Sequence, residues 1–152
     1  MITKVEEFMN EAIKEAEKAF NVGEVPIGAV LVKDGEIISR GHNEVINGCD
    51  PTLHAEIVAI RRAAKVLGNY RLNSCELFVT VEPCIMCLGA IIHARIKKIY
   101  FGTPDPRFGA IVSLLDFGKR QIFNHHFLYE MGIVEDRCRD LIQKFFEQRR
   151  KR

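Results

Sequence analysis

The sequence predicts an α/β chain in which helices cover both faces of a mixed five-stranded sheet, a three-layer α-β-α arrangement. Two observations carry that prediction. Segments with helical spacing of apolar residues alternate with short runs of β-branched and aromatic residues. One pair of such runs is joined at Asp34-Gly35, a strong signal for a tight antiparallel hairpin, so the sheet cannot be wholly parallel.

Each element follows in order. MITKVEEFMNEAIKEAEKAF sets Val5, Phe8, Met9, Ala12, Ala16, Ala19 and Phe20 on one helical face. Its acids Glu6, Glu7, Glu11, Glu15 and Glu17 exclude the unbroken apolar core of a signal peptide. VPIGAVLVKDGEIISRGHN gives the hairpin strands. Pro51 and Thr52 mark a helix start, and HAEIVAIRRAAKVLG continues to a stop at Gly68. CELFVTV (Cys75 to Val81) reads as a strand. Pro83 suits a first helical turn, making PCIMCLGAIIHAR the third helix. KKIYFG (Lys97 to Gly102) is a strand, and TPDPRFGA is a loop broken by Pro104, Pro106 and Gly109. NHHFLYEMGI supplies the fifth strand. Val134, Cys138, Leu141, Ile142, Phe145 and Phe146 form the apolar stripe of a last helix.

A chain of 152 residues suits one domain, expected over 1–152, and a composition 47% hydrophobic and 28% charged excludes disorder. No apolar run approaches the ~18 to 20 residues that span a bilayer, so no membrane partner and a cytoplasmic location are expected. The five cysteines (Cys49, Cys75, Cys84, Cys87 and Cys138) are odd in number and include a Cys-x-x-Cys pair, which points to metal or redox chemistry rather than a disulfide framework. A net charge of +2 says little, but Arg149, Arg150, Lys151 and Arg152 cluster at one end, with Lys144, Arg137 and Arg139 earlier on that helix. Such a cluster attracts RNA phosphates or is simply a solvated face with cations near the helix C-terminus.

Two short stretches carry the chemistry. HAEIVAI (His54 to Ile60) puts a histidine and a glutamate two residues apart at the head of an apolar run, where both are costly to bury. EPCIMCLGA (Glu82 to Ala90) puts Cys84 and Cys87 three apart near a helix start, so their sulfurs share a face. The positive helix end favours thiolates, and two thiolates make half of a zinc site. His54 supplies a third ligand if the two helix starts lie side by side. Three protein ligands leave one tetrahedral position for water. Two thiolates offset the metal's charge, so that water is less acidic than on an all-histidine site, where its pKa falls to about 7, and a nearby base becomes useful. Glu56 is the candidate. Attack on an amino-substituted ring carbon takes a proton from the water and delivers protons to the adjacent ring nitrogen and the leaving amine; one carboxylate can shuttle all three. Other readings stand beside this one: a structural zinc closed by Cys75, His42 or His93, as in a non-enzymatic binding module, or a redox Cys-x-x-Cys with an unrelated histidine.

HAE followed by PCIMC resembles the zinc signature of the cytidine deaminase-like superfamily. Within it the chain most resembles the bacterial tRNA adenosine deaminases. The likeness runs through GEVPIGAV, the His42-Asn43 pair, DPTLHAEI, LFVTVEPCIMCLGAII, ARI with YFG after it, SLLD, the Asn124-His125 pair and FFEQRR. The zinc motif itself is shared with guanine and cytosine deaminases, which keeps a free-base enzyme as the alternative.

The resemblance implies a cytidine deaminase-like fold, one zinc per subunit on His54, Cys84 and Cys87, and deamination of the wobble adenosine of a tRNA anticodon to inosine with Glu56 moving the protons. It implies that Asn43 hydrogen-bonds the target nucleoside, that Val25, Pro26, Ile27 and Leu53 wall the base, and that Ala55 joins the substrate-binding set. Plain core packing is the other reading of those apolar positions. Asp105, Asn124, His125, Arg149 and Arg150 are the candidate RNA contacts. A homodimer is also implied; Leu88, Gly89, Ala90, Ile91 and Ile92 make the third helix apolar nearly all round, either buried in the subunit or forming that interface. Two stretches depart from the pattern. TPDPRFGAIV (Thr103 to Val112) is richer in proline and bulky side chains than the small-residue loop of the family, and DFGKRQIF has no obvious match.

Overall fold

In the computed structural model, which describes residues 1–150, Thr3 opens the first element. Lys151 and Arg152 of the basic tail lie outside the described residues. The Thr3 hydroxyl accepts from the Glu6 N–H at 3.1 Å and the Glu6 carboxylate accepts from the Thr3 N–H at 3.2 Å, a capping box that starts α1 (Lys4–Asn21). Strands β1 (Gly28–Lys33) and β2 (Glu36–His42) follow. Asp34 and Gly35, at φ 52° and 79°, give their turn the left-handed pair of residues that matches strand twist. The remaining elements are α2 (Ala55–Leu67), β3 (Cys75–Val81), α3 (Ile85–His93), β4 (Lys98–Thr103), β5 (Leu128–Glu130) and α4 (Glu135–Arg150).

The sheet runs β2-β1-β3-β4-β5. β1 pairs antiparallel with β2 and β3, while β3–β4 and β4–β5 are parallel, so the mixed five-stranded sheet expected from the sequence is present. Side chains alternate across it. Leu77, Val79, Ile99 and Phe101 face the layer that holds Ala59, Leu88 and Ile91 of α2 and α3. Phe78 and Tyr100, their rings stacked with centroids 4.4 Å apart, face Met9, Ala12 and Ile13 of α1 and Cys138 of α4. Two glycines let helices sit directly on the hairpin. A Cβ at Gly28 would lie 2.0 Å from the Ala12 carbonyl of α1, and one at Gly41 would lie 2.8 Å from the Ala55 carbonyl of α2.

Two helix starts differ from the sequence reading. The Asp50 carboxylate accepts from the Thr52 N–H and hydroxyl at 2.8 and 2.7 Å, so Pro51 and Thr52 belong to a turn and α2 begins only at Ala55, with His54 as its N-cap. Pro83 precedes the N-cap of α3, which is Cys84, instead of sitting in the first turn. The fifth strand is only three residues long, at the edge of the sheet.

Candidate active site

The starts of α2 and α3 meet at one end of the sheet, and their N-cap residues are unusual. His54 and Cys84 hold extended backbones there, yet neither side chain makes the cap hydrogen bond that Ser, Thr, Asn or Asp normally supplies. Instead they face one another. Cys84 Sγ lies 3.6 Å from His54 Nδ1, and Cys87 Sγ, in the first turn of α3, lies 3.5 Å from the same nitrogen. The capping duty at α2 passes to Asn43, whose Oδ1 accepts from the Ala55 N–H at 2.8 Å.

The spacing of these donors fits zinc. A Zn–S bond of about 2.3 Å and a Zn–N bond of about 2.0 Å, meeting near the tetrahedral angle, separate S from N by about 3.5 Å. The three ligand atoms lie within 4.8 Å of one another, and no other group of three or more His, Cys, Asp or Glu converges in this way among the described residues. Cys75 is buried at the opposite end of β3, His42 turns to Glu15 Oε1 at 3.1 Å, and His93 is exposed at the far end of α3. None of the three closes the site. Hydrogen bonding with Cys87, and then with His54, holds the Cys84 thiol down at about 4, so it offers a thiolate. The Cys87 thiol is pushed up by its hydrogen bond to Cys84 and by burial, and His54 is raised chiefly by its hydrogen bond to Cys84.

Glu56 sits in the first turn of α2, 3% exposed. Burial pushes its carboxyl up to about 7, the charge on Cys84 acts in the same direction, and its backbone, His54 and Cys87 oppose the rise. A carboxyl so placed exchanges protons near neutral pH.

The other positions named from the sequence divide into groups. Asn43 is buried, and its amide oxygen is committed to Ala55, which leaves its NH2 group without a partner among the described residues. Pro26 is buried, with Val25, Ile27 and Leu53 half-buried. The Asn43 N–H donates to the Ile27 carbonyl and the Glu44 N–H to the Leu53 carbonyl, so all these residues border one another beside the donor group. Ala55 is fully buried and packs in the core, so its side chain offers no surface to a ligand. Asp105 spends its carboxylate on its own turn, accepting from the Arg107 and Phe108 N–H groups at 3.0 and 3.3 Å.

Asn124 and His125 are not brought to the site. Arg95 donates to the Asn124 carbonyl, and His125 Nε2 lies 2.7 Å from the Ile96 carbonyl. Both partners follow α3, whose nine residues carry them about 13 Å away from Cys84. Arg149 donates to the Gly23 carbonyl at 2.6 Å and covers the Phe145 ring, tying α4 to the connection that leads into β1, while Arg150 is exposed.

Two buried acids carry no role in the sequence reading. The Glu24 carboxylate accepts from the Ile46 and Asn47 N–H groups at 3.1 and 2.7 Å and from Asn47 Nδ2 at 2.6 Å, fastening the 44–50 turn against the segment that carries Val25 to Ile27. The Glu82 carboxylate accepts from the N–H groups of Asp105, Ile111, Val112 and Ser113. Only its place directly before Pro83-Cys84 hints at this in the sequence.

Residues 2–103 match the family described as the cytidine and deoxycytidylate deaminase zinc-binding region, a span containing His54, Glu56, Cys84 and Cys87. A tRNA-specific adenosine deaminase of Bacillus subtilis (strain 168) is 44% identical over 99% of this chain and 94% of its own length. A solved structure from studies of A-to-I editing by tRNA:A34 deaminases at the wobble position is 42% identical, with a TM-score of 0.86 over 89% of this chain and 98% of that one. A guanine deaminase structure from Bacillus subtilis is 48% identical but has a TM-score of 0.63, over 65% of this chain and 64% of that one. High identity over nearly the whole length lies with the editing enzymes, and this chain belongs to the family of tRNA-specific adenosine deaminases within the zinc-dependent deaminases.

Proposed function

We propose that this chain, acting as one deaminase unit over residues 1–152, converts the wobble adenosine of a tRNA anticodon to inosine, with His54, Cys84 and Cys87 as zinc ligands, Glu56 as proton carrier and Asn43 as a nucleoside-binding residue. The observation that carries the chemistry is the buried Glu56 carboxyl beside a histidine and two cysteines at zinc spacing. The substrate follows from relatives that match this chain over nearly its whole length.

Zinc held by His54, Cys84 and Cys87 would supply Lewis acidity, lowering the pKa of a water. Glu56 takes a proton from the attacking water and gives it to N1 of adenine as the water oxygen adds to C6. The same carboxyl moves the second proton to the amino nitrogen, the C6–N bond breaks, and ammonia leaves behind a C6 carbonyl. The free NH2 of Asn43 donates to an acceptor on the nucleoside, its orientation fixed because Ala55 holds the amide oxygen. Val25, Pro26, Ile27 and Leu53 border the base.

A homodimer accounts for the one face of α3 that its own subunit leaves bare. Ile85 is 52% exposed, Met86, Gly89 and Ala90 are half-buried, and nothing lies within 4 Å of a Cβ built on Gly89. Leu88, Ile91 and Ile92, on the other face, are core. Among the described residues no helix is long and apolar enough to cross a membrane, and we place the enzyme in the cytoplasm with its tRNA.

Incubation of the zinc-loaded protein with an anticodon stem-loop carrying a wobble adenosine should yield inosine and one ammonia per site, read by nucleoside mass spectrometry. Release of ammonia from free guanine or cytosine with no inosine from the stem-loop would replace this reading with a free-base deaminase.

A further inference from the structure

Glu82 lies between the end of β3 and the two residues that lead into α3, and it is 3% exposed. It makes no ion pair among the described residues, so donors from elsewhere must satisfy its carboxylate. All of them come from one loop. Oε2 accepts from three consecutive N–H groups, those of Ile111, Val112 and Ser113, at 3.0, 2.8 and 3.1 Å. Oε1 accepts from the Asp105 N–H at 3.1 Å and from the Ser113 hydroxyl. Successive amides turned on one anion form a concave nest, here filled by a side chain of the protein itself. Gly109 lies against the carboxylate, where a Cβ would come within 2.3 Å of its atoms. The Ala110 N–H donates to the Pro83 carbonyl at 2.9 Å, which joins the loop to the residue before Cys84.

The loop so held presents Arg107 and Phe108 outward. Phe108 is 62% exposed and stacks on no other ring, and Arg107 makes no ion pair among the described residues. Through Gly109, Ala110 and Pro83, Phe108 lies at most about 15 Å from Cys84 along the chain, within reach of a nucleotide adjacent to the one in the site. An aromatic face beside a cation is a platform for an unstacked base and its phosphate.

We propose that Glu82 is a positioning residue: it fixes the 105–113 loop so that Phe108 stacks on a base flanking the target adenosine and Arg107 meets the adjoining phosphate. The proposal rests on the RNA substrate inferred above and names a contact made by this chain's own bulky loop. Glu82 touches no reacting atom, so it acts on substrate binding and not on the proton transfers. Glu82→Gln keeps the shape but turns an NH2 group toward amides that need an acceptor, which releases the loop.

Kinetics on the stem-loop and tryptic cleavage after Arg107 without RNA test this together. Glu82→Gln and Phe108→Ala should each raise KM about tenfold or more, the scale of losing one stacked base. kcat should stay within about threefold of wild type, zinc at one per chain. The double variant should be little worse than the poorer single one, since both remove the same contact. Trypsin should cut Glu82→Gln after Arg107 faster than wild type. Loss of zinc, a fall in kcat at unchanged KM, or additive effects in the double variant would overturn the proposal. If Glu82→Gln does not fold, Gly109→Ala pushes the loop off the carboxylate from the other side and should raise KM in the same way; an unchanged KM there also overturns it. Should wild type make no inosine, the substrate reading fails, while the trypsin comparison still decides whether Glu82 holds the loop.

Discussion

His54, Glu56, Cys84 and Cys87 show how much chemistry a few spacings can carry. The two cysteines share a helix face because of their three-residue separation, and the histidine and glutamate stand at the head of the preceding helix, so the donor group is legible in the sequence. What sequence could not show is that two N-cap side chains are withheld from capping, or that Asn43 caps α2 in place of His54. Glu24 and Glu82 were illegible for a related reason, because their partners are backbone amides of distant loops and no spacing encodes such a pairing. Asn124 and His125 rest on likeness alone, and in their own subunit they lie at the end of α3 away from Cys84. For Glu56 the expected outcome is sharp. Glu56→Gln should keep its zinc, measured by elemental analysis, and lose about 10²- to 10⁴-fold in kcat, the usual contribution of a positioned proton carrier.

Element identities were legible because apolar periodicity and turn residues agreed along most of the chain; their starts were less so. A proline signals a helix beginning nearby, but the Asp50 turn and the cap at Cys84 decide where it falls, and both depend on side-chain partners. Close approach was also hidden. Gly28 looks like any strand glycine until α1 lies on it, and Gly28→Ala should cost about 1–3 kcal/mol through overpacking, lowering the melting temperature by several degrees. The α1–β2 contact adds a dependence on pH. Burial raises the Glu15 carboxyl, but hydrogen bonds from Lys18 and His42 outweigh it and hold the folded pKa below the usual 4.5. A depressed carboxyl stabilises the fold fully above its unfolded pKa, and that help fades as pH falls through the lower, folded value. Thermal melts should therefore show wild type ahead of Glu15→Gln above about pH 5 and the gap closing below pH 4.5.

At the scale of the whole molecule, the mixed sheet was legible because one hairpin signal and alternating helices leave few topologies open, whereas the bare face of α3 was not. An apolar helix reads the same whether its faces are covered by its own chain or by another. Gly89→Arg places a charge on the bare face of α3 without entering the core. Light scattering should report a dimer for wild type and a monomer for that variant, with zinc retained in both; a dimer in both would place the interface elsewhere.

The grouping of His54, Cys84 and Cys87 also has a bearing on how the protein is made. His54 precedes α2, while Cys84 comes 30 residues later, beyond β3, the strand that pairs with β1. A chain emerging from the ribosome therefore cannot assemble all three donors from its first half, and their spacing forms only once the starts of α2 and α3 lie side by side. A metal held by this group would join the two helix starts late, so scarcity of metal during synthesis should delay maturation more than it impairs early collapse.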